Sequence, residues 1–357
     1  MAENKTNWLG TSVKNHSYVL VFLLILVVYG ITISLTGKQF SVGHVSSILS
    51  AQNTVIVGSM AIGMALVIIT GQIDLSVGSA LVLTSGVTAC VFNMTGNPLL
   101  TLLSALACGA LLGAFNGVLA AYANIPPFIV TLGTMLIYRS LALWAVREIP
   151  QEITGSGSSQ FALSRDQEAY EAMRNVFGTG SIKILGFPIS FTTILFVLLI
   201  ALFVVICQKT KYGKAVYAVG SNAKAAGLAG IRVKRIQASV FIVTGLLVGI
   251  ASFIQVCKIG NITPASSGRS FEMYAIAAVV LGGIAMAGGR GNMLGVLFGA
   301  LSYTAIDIII VSIPALSVDI QDTFQGLVLI LVILMQSAGP ILRQKFARLP
   351  RVAVRAD

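Results

Sequence analysis

Long apolar segments recur along this chain and constrain its fold more than any other feature. A membrane-spanning helix needs roughly 20 predominantly apolar residues. Ten segments of about that length lie near 18–35, 53–70, 77–94, 99–123, 128–146, 189–208, 237–256, 271–287, 293–313 and 324–341. Only 10% of the residues are charged, against about a quarter in soluble domains. The sequence therefore predicts an all-α, multi-pass membrane protein with about ten transmembrane helices in a single domain, 1–357.

Basic residues indicate which side of the membrane each polar segment faces. The central break 209–236 carries seven lysines and arginines and no acidic residue, and the tail 343–357 carries five basic residues. Polar segments rich in lysine and arginine tend to remain in the cytoplasm. Ten crossings then place both of these segments and both chain termini in the cytoplasm, and the mixed-charge break 147–188 in the periplasm. The net charge of +11 is concentrated in these cytoplasmic segments and does not indicate nucleic-acid binding.

Motifs for enzymatic chemistry are missing from the sequence. The four cysteines lie singly, and the two histidines stand near the N-terminus, a pattern that predicts neither a disulfide framework nor a metal site. No G-x-x-x-x-G-K-[ST] phosphate-binding loop and no serine–histidine–aspartate set occur. We therefore expect a protein that is not an enzyme, holds no cofactor, and draws its energy from an ion gradient or from another subunit.

Two glycine-rich breaks place ionisable residues near the membrane. TGQIDLSVGS at 70–79 contains Asp74, and LGGIAMAGGRG at 281–291 contains Arg290. Irregular backbone at membrane depth is tolerated only against protein or water, and ionisable residues there suggest function. Arg139 is a further polar residue inside a span. The candidate path or gate residues are Asn53, Asp74, Ser76, Asn116, Gln255, Arg290 and Asp307. The alternative is structural: a helix cap for Asp74, a lipid head-group contact for Arg290, and hydrogen bonds between helices for the others.

Glycine spacing and helix caps predict two further features. Small residues four apart allow membrane helices to pack closely, and glycines recur in that way at 109, 113 and 117, at 245 and 249, and at 291, 295 and 299. In the central break, Ser221 or Asn222 can cap a short helix over 223–228, and Gly230 can end it. Its small side chains suit a helix that enters a groove of a partner; an ordinary solvated loop is the alternative.

Four stretches together resemble the ribose- and galactose-type monosaccharide permease subunits of bacterial ABC importers. They are GQIDLSVGS (71–79), PPFIVTLGTM (126–135), KYGKAVYAVGSNAKAAGLAGI (211–231) and FEMYAIAAVVLGGIAMAGGRG (271–291). The resemblance implies an inner-membrane permease that forms a translocation path with a second permease chain, identical or related. It also implies a cytoplasmic ABC ATPase subunit, which binds ATP and magnesium, and a periplasmic sugar-binding protein that delivers a pentose or hexose. The implied coupling helix to the ATPase comprises Ser221, Asn222, Ala223, Lys224, Ala225, Ala226, Gly227 and Gly230.

The chain departs from the family pattern at two positions. Lys224 replaces a glutamate of the coupling helix, so we expect an acidic residue opposite it on the ATPase. Gln72 replaces a glycine and adds a side chain at the cytoplasmic opening. Other possible functions are an ABC permease for a nucleoside, amino acid or sugar-like signal, an ion-coupled transporter that uses Asp74 and Asp307, and a membrane scaffold without transport activity.

Overall fold

The structure is a computed structural model that describes residues 17–35, 42–157, 159–184 and 187–313, together with 323, 326, 327, 330 and 334. Most of the regular structure in these residues is helical. The helices are α1 (Ser17–Leu35), α2 (Val42–Ser50), α3 (Gln52–Ile69), α4 (Val77–Thr95), α5 (Pro98–Tyr122), α6 (Pro127–Glu148), α7 (Gln151–Thr154), α8 (Ala169–Met173), α9 (Phe191–Lys209), α10 (Lys211–Ser221), α11 (Ala223–Leu228), α12 (Val233–Ile259), α13 (Phe271–Leu281) and α14 (Met293–Ser312). A π-helical turn spans Arg174–Gly178, and the strands are β1 (Phe161–Ala162), β2 (Ser181–Ile184), β3 (Phe187–Ser190) and β4 (Asn261–Ile262).

Seven of these helices, α1, α4, α5, α6, α9, α12 and α14, are long and apolar enough to cross a membrane. Helices α2 and α3 are bent by 45° where they join, and the number rises to eight if this pair is one broken span and not a re-entrant loop. The predicted helical, multi-pass class is therefore confirmed. The last predicted span, 324–341, lies outside the described residues except for isolated positions, and the tail 343–357 lies wholly outside them.

The span predicted at 271–287 is shorter than expected. Helix α13 ends at Leu281 after 11 residues, because the next residues form a tight turn. Gly283 has a φ of 79°, a left-handed conformation that glycine adopts without steric cost. The glycine-rich break therefore takes up the second half of the predicted span.

Closely packed helices form the centre of the bundle, as the glycine spacing predicts. A Cβ added to Gly245 of α12 would overlap the carbonyl oxygen of Gly109 of α5, and one added to Gly113 would lie 3.0 Å from the Cα atom of Gly245. Helices α13 and α14 meet in the same way, since a Cβ on Gly299 would overlap the carbonyl oxygen of Ala278. Glycine at these positions lets the backbones touch.

Polar segments gather at two opposite ends of the bundle, as alternating crossings require. The segments 70–76, 123–126, 210–232 and 282–292 form one end, called here the basic end. There the backbone N–H of Gly289 donates to the carbonyl oxygen of Ile69 at 2.8 Å, and the Lys234 Nζ lies 5.9 Å from the centre of the Tyr122 ring.

The other end, called here the mixed-charge end, is formed by the segments 96–97, 149–157, 159–184, 187–190 and 260–262. Strand β1 pairs antiparallel with β4, with Phe161 opposite Ile262. The Asn93 amide donates to the carbonyl oxygen of Ala162 at 2.8 Å. Segments separated by about a hundred residues are thus joined at one end of the bundle.

The central segment 209–236 is more helical than predicted. Helix α10 begins after Thr210, whose hydroxyl accepts a hydrogen bond from the Gly213 N–H at 3.1 Å. The lysines and glycines of this stretch resemble a loop sequence, so its pattern did not reveal the helix. Helix α11 is the predicted short helix: the Asn222 Oδ1 accepts from the Ala225 N–H at 3.0 Å, and Gly230 follows with a φ of 83°.

Candidate functional site

Three predicted path residues lie together in a buried chain of hydrogen bonds. The Asp74 Oδ1 accepts from the backbone N–H and the hydroxyl of Ser76, at 2.9 and 2.7 Å. The Asn116 amide donates to the Ser76 Oγ at 2.7 Å. The Tyr138 hydroxyl lies 3.3 Å from the Asn116 Oδ1 and 3.0 Å from the carbonyl oxygen of Leu112. The break before α4 is therefore bound to α5 and α6.

This break enters the bundle instead of lying on its surface. Asp74 is only 3% exposed, and it borders a cavity of about 10 Å³ that Gly109 of α5 and Thr244 of α12 also line. A cavity of that size holds about one water molecule, and a monosaccharide does not fit. Asp74 thus anchors the start of α4 and does not face an open path in this conformation.

At the basic end, α10 contacts both glycine-rich breaks. A Cβ on Gly220 would overlap the carbonyl oxygen of Ile69 and lie 2.8 Å from the backbone nitrogen of Gly289. The Ser221 hydroxyl donates to the carbonyl oxygen of Gly289 at 3.4 Å, and the Tyr217 hydroxyl donates to that of Gly291 at 2.9 Å. Burial raises the pKa of Tyr217 to about 12, so this hydroxyl remains protonated and able to donate.

The remaining path candidates lie apart from the buried chain. Arg290 is exposed at the basic end, and no ion pair joins it to Asp74 within the described residues. Gln255 is buried in α12, and its Oε1 has no hydrogen-bond partner in the part of the chain that the structure describes. Asp307 is half-buried in α14. Asn53 belongs to α3, and its side chain is not among those that the structure describes.

The predicted coupling residues occupy the outermost part of the basic end. Ala226 is buried and holds α11 against the rest of the chain, whereas Lys224, Ala225 and Gly227 are exposed. Leu228 is 92% exposed and is therefore accessible to a partner. A groove of about 380 Å³ beside α11 is lined by Tyr122, Gly227, Ile231, Arg232, Val233, Lys234 and Arg235.

A second polar cluster lies halfway along α6, and Arg139 is its centre. Its guanidinium donates to the carbonyl oxygens of Pro264, Ser267 and Gly268 at 2.8, 2.6 and 3.3 Å. These carbonyls belong to the segment 263–270, which returns from the mixed-charge end into the bundle. The lone arginine in an apolar run was visible in the sequence, but no pattern indicated its carbonyl partners.

Comparison with known proteins places these features in a family. A family model described as "Branched-chain amino acid transport system / permease component" matches residues 47–333. This range includes the buried chain, α10, α11 and Arg139. No solved structure matches the chain.

Three curated relatives match most of the chain. The ribose import permease protein of Escherichia coli (strain K12) is 37% identical over 279 residues, 78% of this chain and 81% of the relative. The fructose import permease protein of Rhizobium meliloti is 34% identical over 285 residues, 79% of this chain and 74% of the relative. The xylose transport system permease protein of Escherichia coli (strain K12) is 32% identical over 367 residues, 90% of this chain and 91% of the relative.

Proposed function

The chain belongs to the permease family of ABC importers, and we propose that it carries a monosaccharide, a pentose or a hexose, across the bacterial inner membrane. The observation that supports this most directly is its similarity to ribose, fructose and xylose permeases at 32–37% identity over at least 78% of the chain. No phosphate-binding loop occurs in the sequence, so ATP and magnesium bind to a separate ATPase subunit.

Helix α11 is the element that the ATPase contacts. Its exposed Lys224 and Leu228 supply a cation and an apolar side chain, which fit an ATPase groove with an acidic residue and an apolar floor. Helix α10 connects α11 to both glycine-rich breaks, through Gly220 and Ser221. A displacement of α11 by the ATPase would therefore reach the end of α3 and the start of α14 together.

Charge assigns the two ends of the bundle to the two sides of the membrane. The basic end faces the cytoplasm by the positive-inside tendency. With the ten crossings that the sequence predicts, both termini lie there as well. The mixed-charge end then faces the periplasm, where the paired segments around β1 and β4 contact the sugar-binding protein. A second permease chain completes the translocation path.

Docking of α11 can be tested with exposed positions that leave the permease fold intact. We expect Leu228→Glu and Ala225→Trp to abolish co-purification of the ATPase and sugar-stimulated ATP hydrolysis, while membrane insertion stays normal. Val176→Glu is the matched control, because Val176 is 45% exposed at the mixed-charge end. Full ATPase binding by both α11 variants would refute the docking role.

Uptake measurements separate the proposed substrate from the alternatives. Vesicles with the complete transporter should accumulate one of ribose, xylose or fructose and should not accumulate leucine, although the family description names branched-chain amino acids. Accumulation of leucine alone would favour the amino-acid alternative. Uptake that an uncoupler abolishes but ATP depletion does not would favour ion coupling through Asp74.

A further inference from the structure

We propose that Arg139 and Glu272 line the solute path near the middle of the membrane and bind the hydroxyl groups of a neutral, polyhydroxylated solute. The inference rests on the proposed function. It assigns solute contacts to Arg139, which the sequence marked as a polar residue inside a span that could line a path, and to Glu272, which the sequence did not single out.

The position of Arg139 carries the first step. It lies twelve residues after the start of a 22-residue span. At that depth in the membrane, lipid chains would contact an outer surface of the bundle. The side chain is half-buried and so partly accessible, and the neighbouring Leu136 is 64% exposed. A charged side chain at this depth is costly against lipid, and such groups face protein or a water-filled cavity. This surface of α6 must therefore be covered by water or by another chain.

Glu272 and the irregular segment 263–270 lead independently to the same surface. Glu272 is half-buried in the first turn of α13. Its Oε2 and the carbonyl oxygen of Gly268, which accepts from Arg139, both lie beside Gly78. No direct ion pair joins Glu272 to Arg139 within the described residues. Irregular backbone at membrane depth occurs where it is buried in protein or lines a water-filled cavity. The exposed Arg269 adds a further charge to this segment.

The chemistry of the pair suits hydroxyl groups. Arg139 uses three of its five N–H groups on the carbonyls of 263–270, which hold the guanidinium in place and leave two donors. The Glu272 carboxylate provides acceptors. Each hydroxyl of a sugar both donates and accepts, so a neutral sugar can bond to the two residues at once.

The pair also adjoins the buried chain that begins at Asp74. A Cβ on Gly78 would lie 2.5 Å from the Glu272 Oε2 and 2.6 Å from the carbonyl oxygen of Gly268. Gly78 follows Ser76 by two residues at the start of α4. A solute held by Glu272 would therefore lie against the segment that Asp74 anchors. Because the cavity beside Asp74 is too small for a sugar, the path runs along this surface of the chain and not through its interior.

Cysteine accessibility in the complete transporter tests whether the surface is wet. The chain has four cysteines, and a variant in which they are replaced provides the background. We expect a membrane-impermeant thiol reagent to modify Glu272→Cys and Met273→Cys, and ribose, xylose or fructose to slow the reaction several-fold. Leu198→Cys on α9 is the control, because Leu198 is 61% exposed and α9 does not pack on α6. No reaction at either test position would overturn the proposal.

Uptake kinetics test the binding role separately. We expect Glu272→Gln to raise the KM for the transported sugar by about tenfold, because the amide replaces a charged hydrogen-bond acceptor with a neutral one. The Arg139→Lys variant should retain less sugar uptake than the wild type but more than the Arg139→Ala variant. Reaction of Glu272→Cys without protection by any sugar, combined with an unchanged KM, would overturn hydroxyl binding. Protein that is labelled but transports none of these sugars would instead contradict the proposed function.

Discussion

Asn116 links Ser76 to Tyr138 in the buried polar chain. It donates to the Ser76 Oγ and lies within hydrogen-bond distance of the Tyr138 hydroxyl. Hydrogen bonds between membrane helices contribute about 0.6 kcal/mol on average and about 1.7 kcal/mol at most. We therefore expect Asn116→Leu to lower the free energy of unfolding by about 1–2 kcal/mol and Tyr138→Phe by about 0.6 kcal/mol, measured by thermal denaturation in detergent.

A hydroxyl bound within its own helix provides the control for this pair. The Ser104 hydroxyl of α5 donates to the Thr101 carbonyl oxygen, so Ser104→Ala should leave the melting temperature unchanged. A melting temperature for Asn116→Leu equal to that of the wild type would show that the chain contributes nothing to stability.

The sequence identified single polar residues of the site but not their partners. Asp74 stood out as an ionisable residue in a glycine-rich break, and Asn116 as a polar side chain inside an apolar run. Tyr138 did not stand out, because an aromatic residue in a membrane helix is ordinary. The contact between Asn116 and Tyr138 depends on how α5 and α6 are rotated against each other, and sequence spacing does not specify that rotation.

At the scale of helices, the contact between α5 and α12 should be sensitive to a single methyl group. A Cβ on Gly245 would overlap the carbonyl oxygen of Gly109, and such overpacking costs about 1–3 kcal/mol. We expect Gly245→Ala to lower the yield of folded protein and its melting temperature, measured by fluorescence-detected size exclusion. Gly133→Ala is the control, because a Cβ on Gly133 has no atom within 4 Å; equal losses for both variants would contradict close packing at α12.

Helix α10 should transmit motion from α11 to the breaks. Gly220→Ala forces α10 away from Ile69 and Gly289. We therefore expect sugar-stimulated ATP hydrolysis and uptake to fall about five- to tenfold, at the lower end of the fold-changes typical of coupling between sites. Binding of the ATPase should persist, because α11 itself is unchanged. Gly133→Ala on α6 is the control, since a Cβ there would have no atom within 4 Å. Normal coupled hydrolysis in Gly220→Ala would refute transmission through this contact.

The sequence predicted the ends of a helix correctly where they depend on residues within one turn. The short helix α11 was predicted from Asn222 and Gly230, because a side-chain cap and a left-handed glycine act within one turn. Helix α10 was not predicted, because its stability depends on packing against α9 and the breaks. The early end of α13 was also missed, since its apolar residues continue past the turn at Gly283.

For the whole molecule, the assignment of the two ends to the two sides of the membrane is testable with the cysteine-free background. Leu228→Cys on α11 should react with an impermeant reagent only from the cytoplasm, and Ser159→Cys only from the periplasm; both positions are exposed. The expected result follows from the seven basic residues of 209–236 and the positive-inside tendency. The opposite pattern would invert the proposed orientation.

The sequence predicted the class of the molecule well because ten long apolar runs permit few other folds. It predicted the path less well. The segment 263–270 reaches the middle of the bundle as irregular backbone and leaves no distinct hydropathy signal. The apolar run of α13 was found at 271–287, but its sequence did not show that the helix has only 11 residues. The position of the segment 263–270 depends on Arg139, which binds carbonyls about 125 residues away in the chain.

The most direct test of the account is sugar uptake by proteoliposomes that contain this permease with and without its ATPase subunit, in the presence of the sugar-binding protein. We predict accumulation of one of ribose, xylose or fructose that requires both the ATPase and ATP and persists when an uncoupler abolishes ion gradients. Accumulation by the permease alone, or accumulation that an uncoupler abolishes, would contradict the conclusion that this chain is the permease subunit of an ATP-driven importer.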